Sequence, residues 1–499
     1  MKHIVIIGGG TAGLISALVL RQRLPNISIT LLRSSRLGIV GVGEGSTEHF
    51  AWFLQYCGLS KYDFIVNAGA TVKLGILFRN WLKEGHEYLH SVDHSSNTNN
   101  SLGRMDVPMN LYLKPRGRRF PLNTTFEDTA YLNRLPLVPP EYIPANQLHF
   151  DTYLLNRTLT EIADRRSITI VDTDLEHIIR HPESGHVLAV NSTTETFQGD
   201  FFIDASGFHR FMANHMGNKF ISYRKYLPMN RVLVTPSELG KDYEPYTISE
   251  AHGAGWRWRI PTQTRYGNGF VFAQEFLTDE AALDQFNSCL GTNHKDLRVI
   301  SFEAGRLERF WDHNVVNIGL SSSFAEPLEA QSIGLGIQQA RYLINLIDLW
   351  PYSAVDLKYN ASMNRMWDNV VDYLQLHYLT SRTDTEFWQA RPWQQTDFLE
   401  HNLPLWRRGR FEIDQFHTDS LFHIANFFQV CAGLDIIDKE QAINYYDQTF
   451  TEDYHNEIDR QAEVCRSEHT RLSLSMSHRQ LIELIIENHY FRLKNSPGP

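Results

Sequence analysis

The chain has 499 residues and a hydrophobic fraction of 42%, which is enough for one large α/β body with a smaller appended unit. Its net charge of −10 at pH 7 argues against a nucleic acid partner, and its four scattered cysteines exclude a disulfide framework or a CxxC motif. No apolar run approaches membrane-spanning length, so we expect a soluble, cytoplasmic protein without a membrane partner.

The N-terminal segment predicts a dinucleotide-binding βαβ unit. A strand at Ile4–Ile7 leads through a glycine turn into a helix at Leu14–Leu24 and a second strand at Ile27–Leu32. In the turn, the first glycine permits a tight bend, the second lets backbone approach a pyrophosphate, and the third allows close packing of helix and strand. Arg33 stands where an acidic residue would hold a ribose. The turn therefore predicts FAD or NAD, held through Gly8, Gly10, Thr11, Ala12 and Gly13.

A second segment indicates which dinucleotide binds. Gly199-Asp200, followed by Asp204-Ala205-Ser206-Gly207, is typical of the returning strand that FAD oxidoreductases place beside the cofactor. The alternative interpretation is an ordinary strand end with a turn. We favour the flavin interpretation because the two segments occur together and in this order.

The remaining chain divides by its periodicity. Strand patterns dominate from Arg231 to Phe276, and long helical periodicity follows Ser332. We predict an α/β fold with a FAD-binding, glutathione-reductase-like (Rossmann-type) core, a mixed β-sheet substrate region at about 220–280, and a helical C-terminal region. The predicted division separates a catalytic core at residues 1–339 from a mainly helical region at residues 340–499. Two surface loops are also predicted, at the polar stretch 95–101 and the basic cluster 114–119.

Four further segments are more specific than the glycine turn. They are Gly41-Val42-Gly43-Glu44-Gly45-Ser46-Thr47, Lys73-Leu74-Gly75, Gly255-Trp256-Arg257-Trp258-Arg259-Ile260-Pro261 and Phe324-Ala325-Glu326-Pro327-Leu328-Glu329. Together with the glycine turn, they resemble the flavin-dependent tryptophan halogenase family over roughly residues 4–380. The combination of W-x-W-x-I-P and E-P-L-E in one chain makes the resemblance specific.

The resemblance implies an FADH2-dependent halogenase. In this family, reduced FAD, oxygen and a halide (Br, I or Cl) yield hypohalous acid, which a lysine delivers to an electron-rich aromatic substrate. The lysine here would be Lys73, and the substrate would be indole-like or phenolic. Glu329 would assist the substitution, while Trp256 and Trp258 would keep the organic substrate away from the flavin. No second nucleotide motif is evident, so a separate flavin reductase is expected to supply FADH2.

The resemblance also implies the remaining contacts to cofactor and halide. Besides the glycine turn, flavin would be contacted by Gly43, Glu44, Asp204, Gly319, Ser332 and Ile333. After E-P-L-E the family usually continues with Ser-Thr-Gly, whereas this chain has Ala330-Gln331-Ser332. Halide would then be bound by Gln331 and Ser332 in an altered pocket, which favours bromide or iodide over chloride.

Other functions compete with this interpretation. A single-component flavin aromatic hydroxylase shares the opening fold, but such enzymes carry G-D-A-x-H where this chain has Gly319-Leu320-Ser321-Ser322-Ser323. An inactive flavin-binding relative is the second alternative, against which the retained Lys73 and Glu329 argue. Homo-oligomerisation stays open.

A metal site is a further alternative. Three histidines spaced four residues apart could share a helix face and bind zinc. They are His86, His90 and His94. No acidic or cysteine partner is evident, so aromatic and loop contacts are favoured and we expect no metal.

Overall fold

The computed structural model describes residues 1–38, 43–91, 105–114, 134–136, 147–470 and 475–495. The predicted loop at 95–101, most of the basic cluster at 114–119, the first two residues of the Gly41–Thr47 segment and His94 lie outside the described residues.

The chain forms two compact units that interleave along the sequence. The first contains residues 1–70, 150–224 and 303–368, and the second contains residues 71–149, 225–302 and 369–499. Residue 340, where the sequence predicts a boundary between a catalytic core and a helical region, lies inside the helix Gln331–Leu346, and that division stays a prediction.

A six-stranded sheet forms the centre of the first unit. Its central strand, His3–Ile7, is parallel to both neighbours, and Ile6 pairs with Leu31 on one side and Ile203 on the other. Across the sheet the strands are Trp311–Asp312, Val315–Asn317, Phe201–Asp204, His3–Ile7, Ser28–Arg33 and Thr169–Asp172. The sheet is parallel except at one edge, where Trp311–Asp312 pairs antiparallel with Val315–Asn317. A mainly parallel sheet that is entered through a strand, a glycine turn and a helix is the predicted Rossmann-type core.

Helices and two small sheets complete the first unit. The helices are Thr11–Arg23, His49–Tyr56, Lys61–Asn67, Thr152–Arg165, Phe211–Met216, Gln331–Leu346 and the part of Val355–Leu376 that ends at residue 368. The small sheets comprise Leu175–Arg180, Val187–Ser192 and Thr196–Gln198, and Phe220–Ser222, Gly305–Leu307 and Ser323–Phe324. Asp151 caps the long helix Thr152–Arg165 because its carboxylate accepts from the Tyr153 and Leu154 amides.

A seven-stranded mixed sheet dominates the second unit, and four of its strands lie within the predicted mixed-sheet region at about 220–280. In order, its strands are Val299–Ser301, Arg231–Glu238, Arg265–Phe272, Gly255–Pro261, Thr247–His252, Gly75–Arg79 and Glu87–Ser91. Adjacent strands are antiparallel except Gly75–Arg79 and Thr247–His252, which are parallel. Two further antiparallel pairings accompany it, one between Thr71–Lys73 and Gln147–Phe150 and one between Arg134–Pro136 and Ser475–Ser477.

The C-terminal part of the chain is helical, as predicted. The helices of the second unit are Asp106–Leu113, Asp279–Leu290, the part of Val355–Leu376 after residue 368, Glu386–Ala390, Asp397–Arg407, Ile424–Gly433, Lys439–Thr449, Glu452–Thr470 and His478–Asn495. Throughout the described ranges, no helix combines the length and the apolar character needed to cross a bilayer.

The histidine spacing did not mark a helix face. His90 lies on the strand Glu87–Ser91, opposite Ile76, and its ring contacts the Tyr373 hydroxyl. His86 precedes this strand, and His94 lies outside the described residues. A shared helix face is therefore wrong for His90, which lies on a strand.

Candidate active site

The glycine turn has the backbone shape that a dinucleotide requires. Gly8 has φ of +111°, and a Cβ there would lie 2.1 Å from the Ala205 carbonyl oxygen. A Cβ on Gly13 would lie 1.9 Å from the Gly8 carbonyl oxygen. In contrast, a Cβ on Gly10 would meet no described atom within 4 Å, so this face of the turn is open to a ligand. The turn therefore closes tightly where strand and helix meet and leaves room where a pyrophosphate would approach.

The helix after the turn presents its amides to the same open face. Gly10 is the N-cap residue of Thr11–Arg23, and no side chain in the described part of the chain caps it. The first amides of such a helix favour an anion through their hydrogen bonds and the helix dipole. Asn156 fixes the turn from behind, because its side-chain amide donates to the Gly9 carbonyl oxygen at 2.8 Å. These residues fit a dinucleotide pyrophosphate.

Arg33 closes the side of the turn where an acidic residue was expected. A Cβ on Gly9 would lie 2.6 Å from the Arg33 Cβ, so the arginine packs directly beside the turn. Its Nε atom lies 4.0 Å from the Asp172 carboxylate. The ribose-binding carboxylate is thus replaced by a cation that is paired with the neighbouring strand.

The returning strand ends in a buried carboxylate that orders the segment after it. Asp204 accepts from the Ser206 hydroxyl at 2.6 Å and from the Met212 amide at 2.8 Å. Burial raises the pKa of the Asp204 carboxyl, and these hydrogen bonds oppose the shift. The carboxylate holds the strand end, the following turn and the helix Phe211–Met216 together. The sequence predicts a cofactor contact for Asp204, whereas these bonds within the protein were not predicted.

A glycine contact joins the glycine turn to the segment before E-P-L-E. A Cβ on Gly319 would lie 2.7 Å from the Ala12 Cβ, and Gly319 has φ of +68°. The Gly319 amide donates to the buried Gln339 side chain at 2.7 Å. Two predicted cofactor residues, Ala12 and Gly319, are therefore brought together by the fold.

The segment Gly43–Thr47 packs against the helix Gln331–Leu346. A Cβ on Gly334 would lie 2.3 Å from the Thr47 Oγ1, so only glycine allows this approach. Gly43 has φ of +111°, and burial raises the pKa of the neighbouring Glu44 carboxyl to about 7. A carboxyl with such a pKa exchanges its proton near neutral pH, which is common at functional sites.

The residues predicted to bind halide lie at the start of the same helix. Ala330 adopts a left-handed conformation with φ of 54°, and no described side chain caps the helix there. The Gln331 side-chain amide donates to the Glu326 carbonyl oxygen at 2.7 Å. Ser332 is partly exposed, whereas Ile333 is 6% exposed and Glu329 is 2% exposed. The altered Ala330-Gln331-Ser332 segment thus forms a helix N-terminus next to a buried carboxylate.

Lys73 is a buried lysine at the end of a short strand of the second unit. The strand Thr71–Lys73 pairs antiparallel with Gln147–Phe150, so that Lys73 faces Gln147. The Lys73 residue is only 2% exposed, whereas lysines are seldom fully buried. Its burial distinguishes it from the surface lysines that make up most of this residue type.

A hydrogen-bond relay links the Lys73 strand to the tryptophan strand. The Thr247 hydroxyl lies 2.9 Å from His149 Nε2, and His149 Nδ1 lies 3.4 Å from the Thr71 Oγ1. Thr71 in turn donates to the Pro261 carbonyl oxygen at 2.8 Å. Burial, together with Lys73 and His478, holds the pKa of His149 well below its usual value. His149 is therefore neutral beside Lys73.

Trp256 and Trp258 lie on one face of the strand Gly255–Pro261, as the alternation predicted. Their ring centroids are 5.8 Å apart, and Trp256 also contacts Trp81 at 6.5 Å. A Cβ on Gly269, which faces Trp258 across the sheet, would lie 2.1 Å from the Trp258 ring. The two tryptophans are thus part of an aromatic core, which fits a rigid wall.

His478 is a site residue that was not predicted from the sequence. This fully buried histidine begins the last helix, and its Nε2 accepts a hydrogen bond of 3.1 Å from the Val72 amide. No local motif surrounds it, and the contact joins residues 406 positions apart. Only the three-dimensional arrangement places it beside Lys73.

Comparison with known proteins identifies the family. The chain matches the tryptophan halogenase family over residues 3–447. It is 30% identical to tryptophan 6-halogenase SttH of Streptomyces toxytricini, over 81% of this chain and 83% of that protein. BrvH, a flavin-dependent halogenase from Brevundimonas sp. BAL3, is 28% identical with a TM-score of 0.83, covering 97% of this chain and 99% of BrvH. Xcc4156, a flavin-dependent halogenase from Xanthomonas campestris, is 26% identical with a TM-score of 0.83, covering 100% of this chain and 99% of Xcc4156. The chain therefore belongs to the tryptophan halogenase family of flavin-dependent enzymes.

Proposed function

We propose that this protein is an FADH2-dependent halogenase that delivers hypohalous acid through Lys73 to an electron-rich aromatic ring, indole-like or phenolic. The observation that carries the proposal is the burial of Lys73 at the end of a strand fixed by neighbouring hydrogen bonds. A separate flavin reductase would supply FADH2.

The residues that would hold FAD belong to the first unit. The open face at Gly10 and the amides at the start of Thr11–Arg23 would receive the pyrophosphate. Gly319 and the Gly43–Thr47 segment would line the rest of the cofactor site. When bound, reduced flavin supplies the oxidation of halide to hypohalous acid by molecular oxygen.

Lys73 would direct the halogen to the substrate. As an ammonium it would donate a hydrogen bond to hypohalous acid, and as an amine it would form a nitrogen–halogen bond with release of water. Because His149 and His478 are held neutral, they add no positive charge beside Lys73 that would repel an electrophile. Burial also limits the access of water, which would otherwise compete for the reagent.

Glu329 would assist the substitution. Electrophilic attack gives the aromatic ring a positive charge before the ring proton leaves, and a carboxylate stabilises that charge. Glu329 is 2% exposed, so its charge would act in a medium of low polarity, where electrostatic effects are larger. Alternatively, Glu329 would polarise the halogenating reagent.

Trp256 and Trp258 would separate the organic substrate from the flavin. Both rings are at most 8% exposed and pack on neighbours that leave little freedom to move. A rigid aromatic wall lets small inorganic species pass more readily than an aromatic substrate. The wall would thereby favour halogenation over direct oxygen insertion.

The halide preference would follow from the start of the helix Gln331–Leu346. Helix amides bind anions, so Gln331 and Ser332 would supply the halide contacts. The Gln331 side-chain amide is already bonded to Glu326, which leaves the backbone amides as the main donors. We propose bromide or iodide as the preferred halide because this segment departs from the family's Ser-Thr-Gly.

A reconstituted assay tests the proposal. The protein would be incubated with FAD, a flavin reductase, NADH, oxygen, catalase and a panel of indoles and phenols, with each halide separately. Mass spectrometry would identify the products, and Lys73→Met would serve as the control for free hypohalous acid. Halogenated product that depends on Lys73 supports the proposal. Hydroxylated product, or halogenation that survives Lys73→Met, would overturn it.

A further inference from the structure

The start of the last helix contacts the strand that carries Lys73. His478 lies beyond the segment matched by the family, which ends at residue 447. Its side chain is completely buried, and its Nε2 accepts from the Val72 amide at 3.1 Å. The residue immediately before Lys73 is therefore held by a side chain from the C-terminal region.

The residue after Lys73 is held by the segment Glu244-Pro245, which His478 also contacts. The Leu74 amide donates to the Pro245 carbonyl oxygen at 2.7 Å, and the preceding Glu244 carbonyl oxygen lies 3.2 Å from His478 Nδ1. Both backbone neighbours of Lys73 are thus fixed, one directly by His478 and the other by the segment that His478 contacts. A strand of only three residues has few ladder hydrogen bonds of its own, so these contacts decide where it lies.

The two contacts of His478 specify its protonation. Nε2 must carry a lone pair to accept from the Val72 amide, so the proton resides on Nδ1 and is donated to Glu244. Burial lowers the pKa of His478 to about 4, which agrees with a neutral ring. A second proton would place an N–H group against the Val72 N–H and add a cation near Lys73.

We propose that His478 is a positioning residue for Lys73, through which the C-terminal helix becomes part of the halogenation site. The inference rests on the proposed role of Lys73. Displacement of a reacting group by about 1 Å can cost on the order of a hundredfold in rate. A loosened Lys73 strand would leave flavin oxidation unchanged and would lower the fraction of hypohalous acid that reaches the substrate.

Two substitutions separate the contacts of His478. Glutamine at position 478 can place its carbonyl oxygen where Nε2 accepts from Val72, whereas the shorter asparagine retains only the contact to Glu244. Arg479→Met is the matched control for helix docking, because the Arg479 side chain anchors the start of the same helix by donating to the Lys241 and Gly240 carbonyl oxygens. For each variant, halogenated product per FADH2 oxidised would be measured, together with hypohalous acid captured by an external trap.

The expected results distinguish positioning from general stability. His478→Asn should lower product per FADH2 about tenfold and raise trapped hypohalous acid at an unchanged rate of flavin oxidation, an effect of about 1.4 kcal/mol. His478→Gln and Arg479→Met should stay within about threefold of the parent. Equal losses in His478→Asn and Arg479→Met, or none in His478→Asn, would overturn the inference.

Lys73→Met, assayed in parallel, separates the two proposals. If Lys73→Met retains halogenation, the proposed function fails regardless of His478. If Lys73→Met abolishes halogenation while His478→Asn behaves as the parent, only the inference about His478 fails. Thermal unfolding of every variant would show which of them fold. If His478→Asn does not fold, the comparison of His478→Gln with the parent still tests the inference. In that case, a loss of product per FADH2 in His478→Gln would overturn the inference.

Discussion

The Thr71 hydroxyl donates to the Pro261 carbonyl oxygen across 2.8 Å. This bond joins the strand that ends in Lys73 to the strand that carries Trp256 and Trp258. Two motifs that are almost two hundred residues apart in sequence are therefore tied together by one buried hydroxyl. Thr71 belongs to neither motif, yet its hydroxyl contacts one of them and its strand ends in the other.

Thr71→Val should destabilise the protein. Valine has nearly the shape of threonine but leaves the Pro261 carbonyl oxygen and His149 Nδ1 without their Thr71 partner, at a cost of about 1–3 kcal/mol in the free energy of unfolding. Urea unfolding would measure the loss. Thr71→Ser, which keeps the hydroxyl, should retain more of the stability, and equal losses in the two variants would contradict the assignment.

Gly8→Ala and Gly10→Ala should separate folding from flavin binding. Gly8 combines positive φ with a Cβ position 2.1 Å from backbone, so alanine there should cost at least about 1–3 kcal/mol of stability as well as flavin affinity. At Gly10 the Cβ position is open, so alanine should leave the melting temperature unchanged. The same methyl group would intrude on the pyrophosphate and weaken FAD binding about tenfold, or 1.4 kcal/mol.

Flavin fluorescence titration would measure the FAD affinity of each variant, and thermal unfolding would measure its melting temperature. Unchanged FAD affinity in a normally folded Gly10→Ala protein would place the pyrophosphate elsewhere.

The protein should lose stability on acidification through His478. Burial lowers the pKa of this histidine to about 4 in the folded protein, against the opposing hydrogen bond to Glu244 and the charge of Asp242, whereas the pKa is about 6.5 when the chain is unfolded. Below pH 6.5 the unfolded chain binds the proton and the folded chain does not. The free energy of unfolding therefore falls by about 1.4 kcal/mol per pH unit for this group until the pH reaches about 4. Above pH 6.5 its contribution is fully present.

Comparison with His478→Gln isolates that contribution. Urea unfolding at pH 7, 6 and 5 should show the stability advantage of the parent over His478→Gln shrinking as the pH falls. A constant difference over this range would show that His478 does not stay neutral in the folded protein.

Bromide should outcompete chloride in a mixture of equal concentrations. The expectation follows from the Ala330-Gln331-Ser332 segment, whose helix N-terminus offers backbone amides to the anion. Bromide is also the more readily oxidised of the two. Mass spectrometry of the products would give the ratio directly, and an excess of chlorinated product would refute the preference.

Local patterns in the sequence determined the nucleotide-binding half of the protein. The turn Gly8–Gly13 and the apolar run before it specify a strand, a tight bend and a helix, and the structure has them at His3–Ile7 and Thr11–Arg23. The alternation of Trp256, Trp258 and Ile260 likewise predicted a strand, because successive side chains on a strand alternate between its faces. In both cases the signal lies within a few residues.

Only the tertiary structure decided what surrounds Lys73. The sequence shows a lysine next to a glycine, whereas its burial, the Thr71–Pro261 bond and the Val72–His478 bond depend on strands and a helix from distant parts of the chain. Hydrogen bonds between residues hundreds of positions apart leave no periodicity in the sequence, since each partner is a common residue whose role is fixed only by where the fold places it.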